Sequence, residues 1–468
     1  MWFEHTFVDL LNRFNRRGKP TTQAGLTLGS LTDNPSHTVV WTTVRRPEHA
    51  CVVGKTGSGK THFMEWLACQ LMERSEPFVF FDYHGDATER LVALATRFSN
   101  ADQRLVVIDP TDSQSSPGLN PLESTGADGS TVFGRTSELA AILRQRWQVD
   151  AFGPRTEELL RNTLFVLAAT NHTLVEAPLL LTSQAFRTRL VSQLTQPDIL
   201  DYWMSRYEPL SEAMKGAFRE PLLNKITGFL TEPSCRHLLG QQVSTLRFTD
   251  AIERGQWVIV NLAKGKLREH AHTLGNLIFA RLQFDVLART NVPPAQRRLF
   301  TVFCDEVQNL AENDLATLLA EGRKFAISLV NGHQFWDQLS KELRGALLSA
   351  GTHIFFTLSS NDAAVLSSEL SVGAKQRYHR ELTLLPRGHA IARVGAAAAV
   401  AITIPSLPRV ASSAGAIQSL RAGSVGRHSR PRARVEAEIR SRRDQEMGRP
   451  DASFTESHAT PPDGQQSW

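Results

Sequence analysis

Residues Gly54-Lys55-Thr56-Gly57-Ser58-Gly59-Lys60-Thr61 follow the order G-x-x-x-x-G-K-T without exception. Glycines at these positions let successive backbone N–H groups turn inward toward an anion. Lys60 adds a point charge for β- and γ-phosphate oxygens, and the Thr61 hydroxyl stands where a nucleotide-bound Mg2+ needs an oxygen ligand. An apolar ACVV runs into this loop and a helical pattern with Phe63, Leu67 and Leu71 runs out of it. The loop therefore opens a helix whose N-terminus favours negative charge, a context that an ordinary glycine-rich turn lacks. The expected chemistry is the gripping of a nucleotide's phosphate chain.

Phosphoryl transfer also needs an acid to hold the metal and a group to orient water. The run LFTVFCDE ends in Asp305 and Glu306, 245 residues after Lys60. Alone, two acids at a strand end are commonly a solvated terminus. With the phosphate loop upstream they become the second half of a site, Asp305 for the metal and Glu306 for the water. The next strand-like run, AISLVNGHQ, ends in Gln334, which can sense a γ-phosphate or simply begin a turn. Asp82, His84 and Asp86 in FDYHGD mix acids with an imidazole, but the intervening Gly85 reads as a tight turn near the nucleotide rather than a metal site.

The elements that must position these residues follow from periodicity. Short strand patterns occupy AGLTLGSL, HTVVWTTV and HACVVG. Helical and strand patterns then alternate through PFVFFDYHGD, ATERLVALATRF and RLVVIDP. Such alternation predicts a parallel sheet covered on both faces. From about Thr131 to Leu239 the pattern is helical throughout, and strands resume with GQWVIVNLAKG, RRLFTVFCDE, AISLVNGHQ and HIFFTLSS. The fold class expected is α/β, a nucleotide-binding domain with a parallel-rich central sheet and an inserted all-α domain. The divisions read as 1–22 an amphipathic helix, 23–130 the first part of the ATPase domain, 131–245 the insert, 246–407 the second part, and 408–468 an Arg/Ser/Pro-rich, mostly disordered tail.

Bulk properties are permissive. The 468 residues are 41% hydrophobic, enough for two or three cored domains, and the net charge of +5 is too even to demand a nucleic-acid partner. From Leu407 onward there are 10 Arg, no Lys and 7 acidic residues, so most of that excess lies in the tail. Cys51, Cys69, Cys235 and Cys304 are scattered through apolar surroundings, which suits buried reduced thiols and not a zinc site. No apolar run reaches the ~18–20 residues of a membrane-spanning helix. Phe3, Phe7, Leu10, Leu11 and Phe14 fall on one helical face, closed by Arg13, Arg16 and Arg17, as in an in-plane membrane anchor or a docking helix.

The ordered series GKTGSGKT, FDYHGDATERL, VVIDPTD…GLNPL, GPRTEELLRNTL, PLLNKITGFL, VIVNLAKG, VFCDEVQNL, EGRKFAISLVNGHQ and LPRGHAIARV resembles the conjugative coupling-protein branch of the FtsK/HerA ATPases over residues 25–405. The resemblance implies a RecA-like P-loop fold, ATP as substrate with Mg2+, Lys60 and Thr61 in the phosphate loop, Asp305 and Glu306 as the acidic motif, and Gln334 as a sensor. It also implies Arg323, in the "GRK" stretch, as a contact between subunits. It further implies a homo-hexameric ring that moves DNA without sequence preference, alongside relaxosome or secretion-channel proteins, in the cytoplasm with a peripheral inner-membrane contact. Two departures stand out. Many coupling proteins begin with membrane-spanning helices, for which this sequence has no apolar run, and Thr357 stands where the family often places an arginine, leaving Arg323 or Arg377 to act in its stead. The alternatives are an ATP-switched recruitment ATPase for a nucleoprotein or protein cargo and a soluble HerA-like DNA-processing ATPase.

Overall fold

The computed structural model describes residues 24–123, 129–147, 149, 153–310, 312–371 and 373–446. The helix expected over 1–22 lies outside these residues. Among the described residues thirteen strands occur in chain order: β1 (Gly25–Leu31), β2 (Thr38–Thr42), β3 (Ala50–Val53), β4 (Phe78–Asp82), β5 (Leu105–Ile108), β6 (Ser115–Pro117), β7 (Trp257–Asn261), β8 (Phe300–Cys304), β9 (Ile327–His333), β10 (Thr352–Phe355), β11 (His389–Val394), β12 (Val400–Thr403) and β13 (Ser429–Pro431). Over its described residues the chain packs as two units, the first lying within 1–78, 294–308 and 316–409 and the second within 79–293, 309–315 and 410–468.

In the first unit the strand order is β2-β1-β12-β11-β10-β3-β9-β8. The four strands from β10 to β8 run parallel, with Phe355 opposite Val53, Val53 opposite His333, and Cys304 opposite Asn331. Their apolar side chains, among them Val52, Val53, Phe303, Leu329, Val330 and Ile354, are fully buried, as expected of strands covered on both faces. The flanking β11, β12, β1 and β2 pair antiparallel, so the central sheet is parallel-rich, as expected, with an antiparallel flank. Only turns link β1 to β2 and β11 to β12, and a parallel pairing would need a crossover of a dozen or more residues. The helix Lys60–Glu73 lies against β9 because Gly332 leaves room. A Cβ on Gly332 would stand 2.1 Å from Met64 Cε and 3.2 Å from Asp305 Oδ1.

The second unit carries strands in the order β4-β7-β5, with β5 and β7 parallel, and the helix Asp86–Ala95. The helical run found in the sequence spans Gly129–Trp147, Pro154–Ala169, Ala177–Thr182, Gln184–Val191, Pro197–Asp201, Glu212–Leu230 and Pro233–Leu239, with a π-helical turn at Tyr202–Tyr207. Leu143, Leu160, Leu164, Leu180, Trp203, Leu222 and Ile226 form its core, each at most 1% exposed.

The tail differs from the expectation of disorder over the part described. Ala414–His428 and Arg432–Glu446 are helices, and β13 between them pairs antiparallel with β6. Composition misleads here because the arginines are engaged by acids and carbonyls rather than solvated. Arg421 meets Asp109 at 2.5 Å and also Glu89; Arg427 meets Asp102 at 2.9 Å; Arg442 meets Glu176 at 3.1 Å and the Gly240 carbonyl at 2.6 Å. Two apolar anchors, Val435 and Ile439, are at most 1% exposed. The Ser424 hydroxyl accepts the N–H of Val107 on the terminal strand β5 at 2.8 Å, so the helix covers that edge. Residues 447–468 lie outside the described part. Among the described residues no helix is long and apolar enough to cross a membrane.

Candidate nucleotide-binding site

The site grows from the C-terminal ends of β3, β9 and β8, all within the first unit. Buried β3 delivers the loop at 54–59, and Lys60 begins the helix. Gly59 caps that helix at φ 114°, a left-handed conformation that a side chain resists. Gly54 is required by space, since a Cβ there would come within 2.6 Å of Phe356 Cβ and 2.7 Å of Ser58 Oγ. The loop is braced from outside. The Lys55 N–H donates to the Thr357 carbonyl at 2.8 Å, and the Gly388 N–H to the Ser58 carbonyl at 3.1 Å. The Thr357 hydroxyl donates to the Leu385 carbonyl at 2.7 Å, so this side chain ties two bracing segments together.

The polar groups of the site satisfy one another. Lys60 Nζ donates to the carbonyls of Gly54 at 2.6 Å and Lys55 at 3.2 Å. Burial lowers the lysine's pKa, against the opposing pull of Asp305 and Glu306. The Thr61 hydroxyl donates to Asp305 Oδ2 at 2.6 Å. Glu306 follows at the end of β8 with φ 69°, a conformation unusual for a non-glycine residue and found where surrounding structure holds it. Gln334, directly after β9, donates through Nε2 to Glu306 Oε1 and accepts the Thr56 hydroxyl at 2.6 Å. A chain of hydrogen bonds thus runs from the tip of the phosphate loop to Glu306. Ser58 Oγ is buried and has no hydrogen-bond partner among the described residues. Such an orphan at a loop of inward-facing amides suits a phosphate oxygen. Thr61 and Asp305, two hard oxygen donors in contact, suit Mg2+.

Of the residues singled out from sequence, the phosphate loop 54–61, Asp305, Glu306 and Gln334 come together here. Arg323 does not. It is exposed in the turn Gly322–Phe325 before β9, whose seven residues span roughly 23 Å and separate it from Gln334. Arg377 is exposed and paired with Glu381 at 2.7 Å. Asp82 is a turn residue: its carboxylate accepts the N–H groups of His84, Gly85 and Thr88 at 2.7–3.0 Å at the start of Asp86–Ala95. Among the described residues no three His, Cys, Asp or Glu are grouped to hold a metal. All four cysteines are buried and outside any disulfide, and burial pushes the Cys51 thiol up to about 12.

Sequence reasoning missed two features. Gln308 donates through Nε2 to Glu306 Oε2, but a polar residue two positions after the acids looks the same in sequence as any turn residue. His333, 1% exposed, is pushed down to about 4, first by burial and then by the Lys60 charge, and so stands beside the site as a neutral ring.

Residues 26–144 match the family described as the central domain of the helicase HerA. No curated protein matches the chain in sequence. Among solved structures, the bacterial conjugative coupling protein TrwB in its unbound form is similar at 16% identity, with 85% of this chain and 92% of that one covered and a TM-score of 0.57. TrwB in complex with ADP and Mg2+ is similar at 16% identity over 86% of this chain and 94% of that one, with a TM-score of 0.57. VirB4 of Thermoanaerobacter pseudethanolicus is similar at 12% identity over 82% and 97%, with a TM-score of 0.55. The chain therefore has the RecA-like P-loop ATPase fold of TrwB and VirB4, and its first part matches the HerA central domain.

Proposed function

We propose that this chain is a motor ATPase of conjugative transfer or type IV secretion that hydrolyses ATP with Mg2+, assembles as a hexameric ring and moves DNA. The observation that carries the reading is the continuous contact from Thr56 through Gln334 to Glu306, beside the Thr61–Asp305 pair. It joins a phosphate-binding loop to a metal-holding acid and a base-positioned acid, the set that phosphoryl transfer to water requires. The fold shared with TrwB, which has been solved with ADP and Mg2+ and with an ATP analogue, supports the same reading.

In this reading Lys60 leaves the Gly54 and Lys55 carbonyls for the β- and γ-phosphate oxygens, and Ser58 Oγ gains the partner it lacks. Thr61 and Asp305 would hold Mg2+, which neutralises charge between the phosphates when bound. Glu306 orients the attacking water and takes its proton. Gln334, attached to both the loop and Glu306, reports whether a γ-phosphate is present. DNA phosphates would be held by basic side chains gathered around a pore, making binding salt-sensitive and sequence-tolerant.

Thr357 favours a second reading, a recruitment ATPase in which ATP binding is the switch. Its hydroxyl is committed to the Leu385 carbonyl, and no arginine stands in its place to speed hydrolysis. ATP turnover measured with and without single- and double-stranded DNA separates the two. The motor reading expects DNA-stimulated turnover that Lys60→Ala and Glu306→Gln abolish. Turnover of the wild type no faster than these variants, with or without DNA, sinks it.

A further inference from the structure

We infer that Gln308 is a second carboxamide of the hydrolytic site, one that fixes Glu306 and binds the attacking water. The inference rests on the ATPase reading above. Gln308 Nε2 donates to Glu306 Oε2, on the oxygen opposite the one that Gln334 engages. Its own Oε1 is buried and has no hydrogen-bond partner among the described residues. Flipping the amide does not relieve this, because it would press a carbonyl oxygen against a carboxylate. The orientation is therefore set by Glu306, and the orphan acceptor is its consequence.

A buried acceptor beside a catalytic carboxylate costs stability unless something fills it in the working state. Water fits on chemical grounds. A carboxylate oxygen can accept more than one hydrogen bond, so one hydrogen of the water can go to Glu306 and the other to Gln308 Oε1. That fork leaves the water's oxygen lone pair for phosphorus. As the oxygen bonds to the γ-phosphorus, the bond from that phosphorus to the bridging oxygen breaks and its electron pair leaves with ADP. Glu306 accepts the water's proton and passes it to solvent, leaving ADP and inorganic phosphate. The backbone at Glu306, φ 69°, is one that surrounding structure must hold, and Gln308 grips its carboxylate on the oxygen opposite Gln334.

The test uses the full-length protein and Gln308→Met, which keeps side-chain length and removes both polar groups, with Gln308→Ala as a second variant. Steady-state ATP turnover is measured under the conditions that give the wild type its highest rate. Binding of ADP·BeF3, a mimic of the bound triphosphate, is compared with that of ADP·AlF4, whose planar fluoride group holds the axial water. Both variants are expected to lose at least tenfold in kcat with KM within twofold, to keep ADP·BeF3 binding, and to bind ADP·AlF4 at least tenfold more weakly. A kcat within twofold of wild type overturns the inference. So does a parallel loss of kcat, KM, both complexes and thermal stability, which marks Gln308 as a turn residue only. If the wild type shows no hydrolysis that depends on Lys60, the ATPase reading fails and this inference falls with it.

Discussion

At the residue scale, the site is built from groups that hold each other until a ligand replaces them. Lys60 rests on its own loop and Thr61 on Asp305, so Lys60→Ala removes the loop's buried cation and leaves Asp305 still paired with Thr61. That variant is expected to fold and to lose binding of a fluorescent ATP analogue. Glu306→Gln should keep that binding while turnover falls by about 10²-fold or more, the usual share of a general base. His49 makes a different kind of demand. Its Nδ1 accepts the Leu329 N–H at 3.2 Å and its Nε2 donates to the Leu319 carbonyl at 3.1 Å, an arrangement open only to the neutral ring. Burial pushes it down to about 4, and His353 likewise. Between pH 6.5 and 4 the unfolded chain binds protons that the folded chain refuses, so stability is complete above 6.5 and falls as pH drops through this window. Each such histidine contributes a loss of about 1.4 kcal/mol per pH unit at most. Urea midpoints at pH 7 and pH 5 check the sign, and His49→Asn should flatten part of the slope.

At the element scale, the parallel strands were legible because their apolar runs end in the chemistry-bearing residues. The antiparallel flank followed from the short turns at β1–β2 and β11–β12 only once pairing partners were known. The C-terminal helices are the clearest case of order without an apolar signature. Ile439 packs against Gly240, where a Cβ would come within 2.5 Å of Ile439 Cδ1. Ile439→Ala is therefore expected to destabilise by about 2–4 kcal/mol, read by chemical denaturation. Truncation after residue 408 should cost more, because it bares the Val107 N–H on β5 and strands Asp109 without Arg421. A truncated protein with unchanged denaturation would show that the helices rest on the second unit without stabilising it.

At the scale of the whole molecule, the proposed ring asks for an arginine that a neighbouring copy supplies to the phosphate loop. Arg323 is exposed, away from that loop, and is the candidate to serve a neighbouring copy. An arginine supplied this way is worth about 10³–10⁵ in rate. Arg323→Ala should then lose turnover on that scale while retaining nucleotide binding. Mixing it with Lys60→Ala should restore some activity, because a mixed pair contains one intact loop facing one intact arginine. Mass photometry with an ATP analogue should find six copies. A persistent monomer with full turnover, or a mixture no more active than its parts, would set the ring aside and leave Arg323 a surface residue.

What the sequence by itself determined is the phosphate loop, the acids that answer it and the strand that ends in Gln334. These depend on local backbone geometry and short apolar runs, which are written in neighbouring residues. Only the tertiary structure decided that Gln308 touches Glu306, that Thr357 braces the loop and that an arginine-rich tail is folded over residues 414–446. Each of those rests on a partner remote in the chain or on a side-chain direction. Arg421 finds Asp109 at a separation of 312 residues. A charge that reads as solvated in isolation is ordered once a carboxylate is fixed opposite it, and no local pattern carries that information.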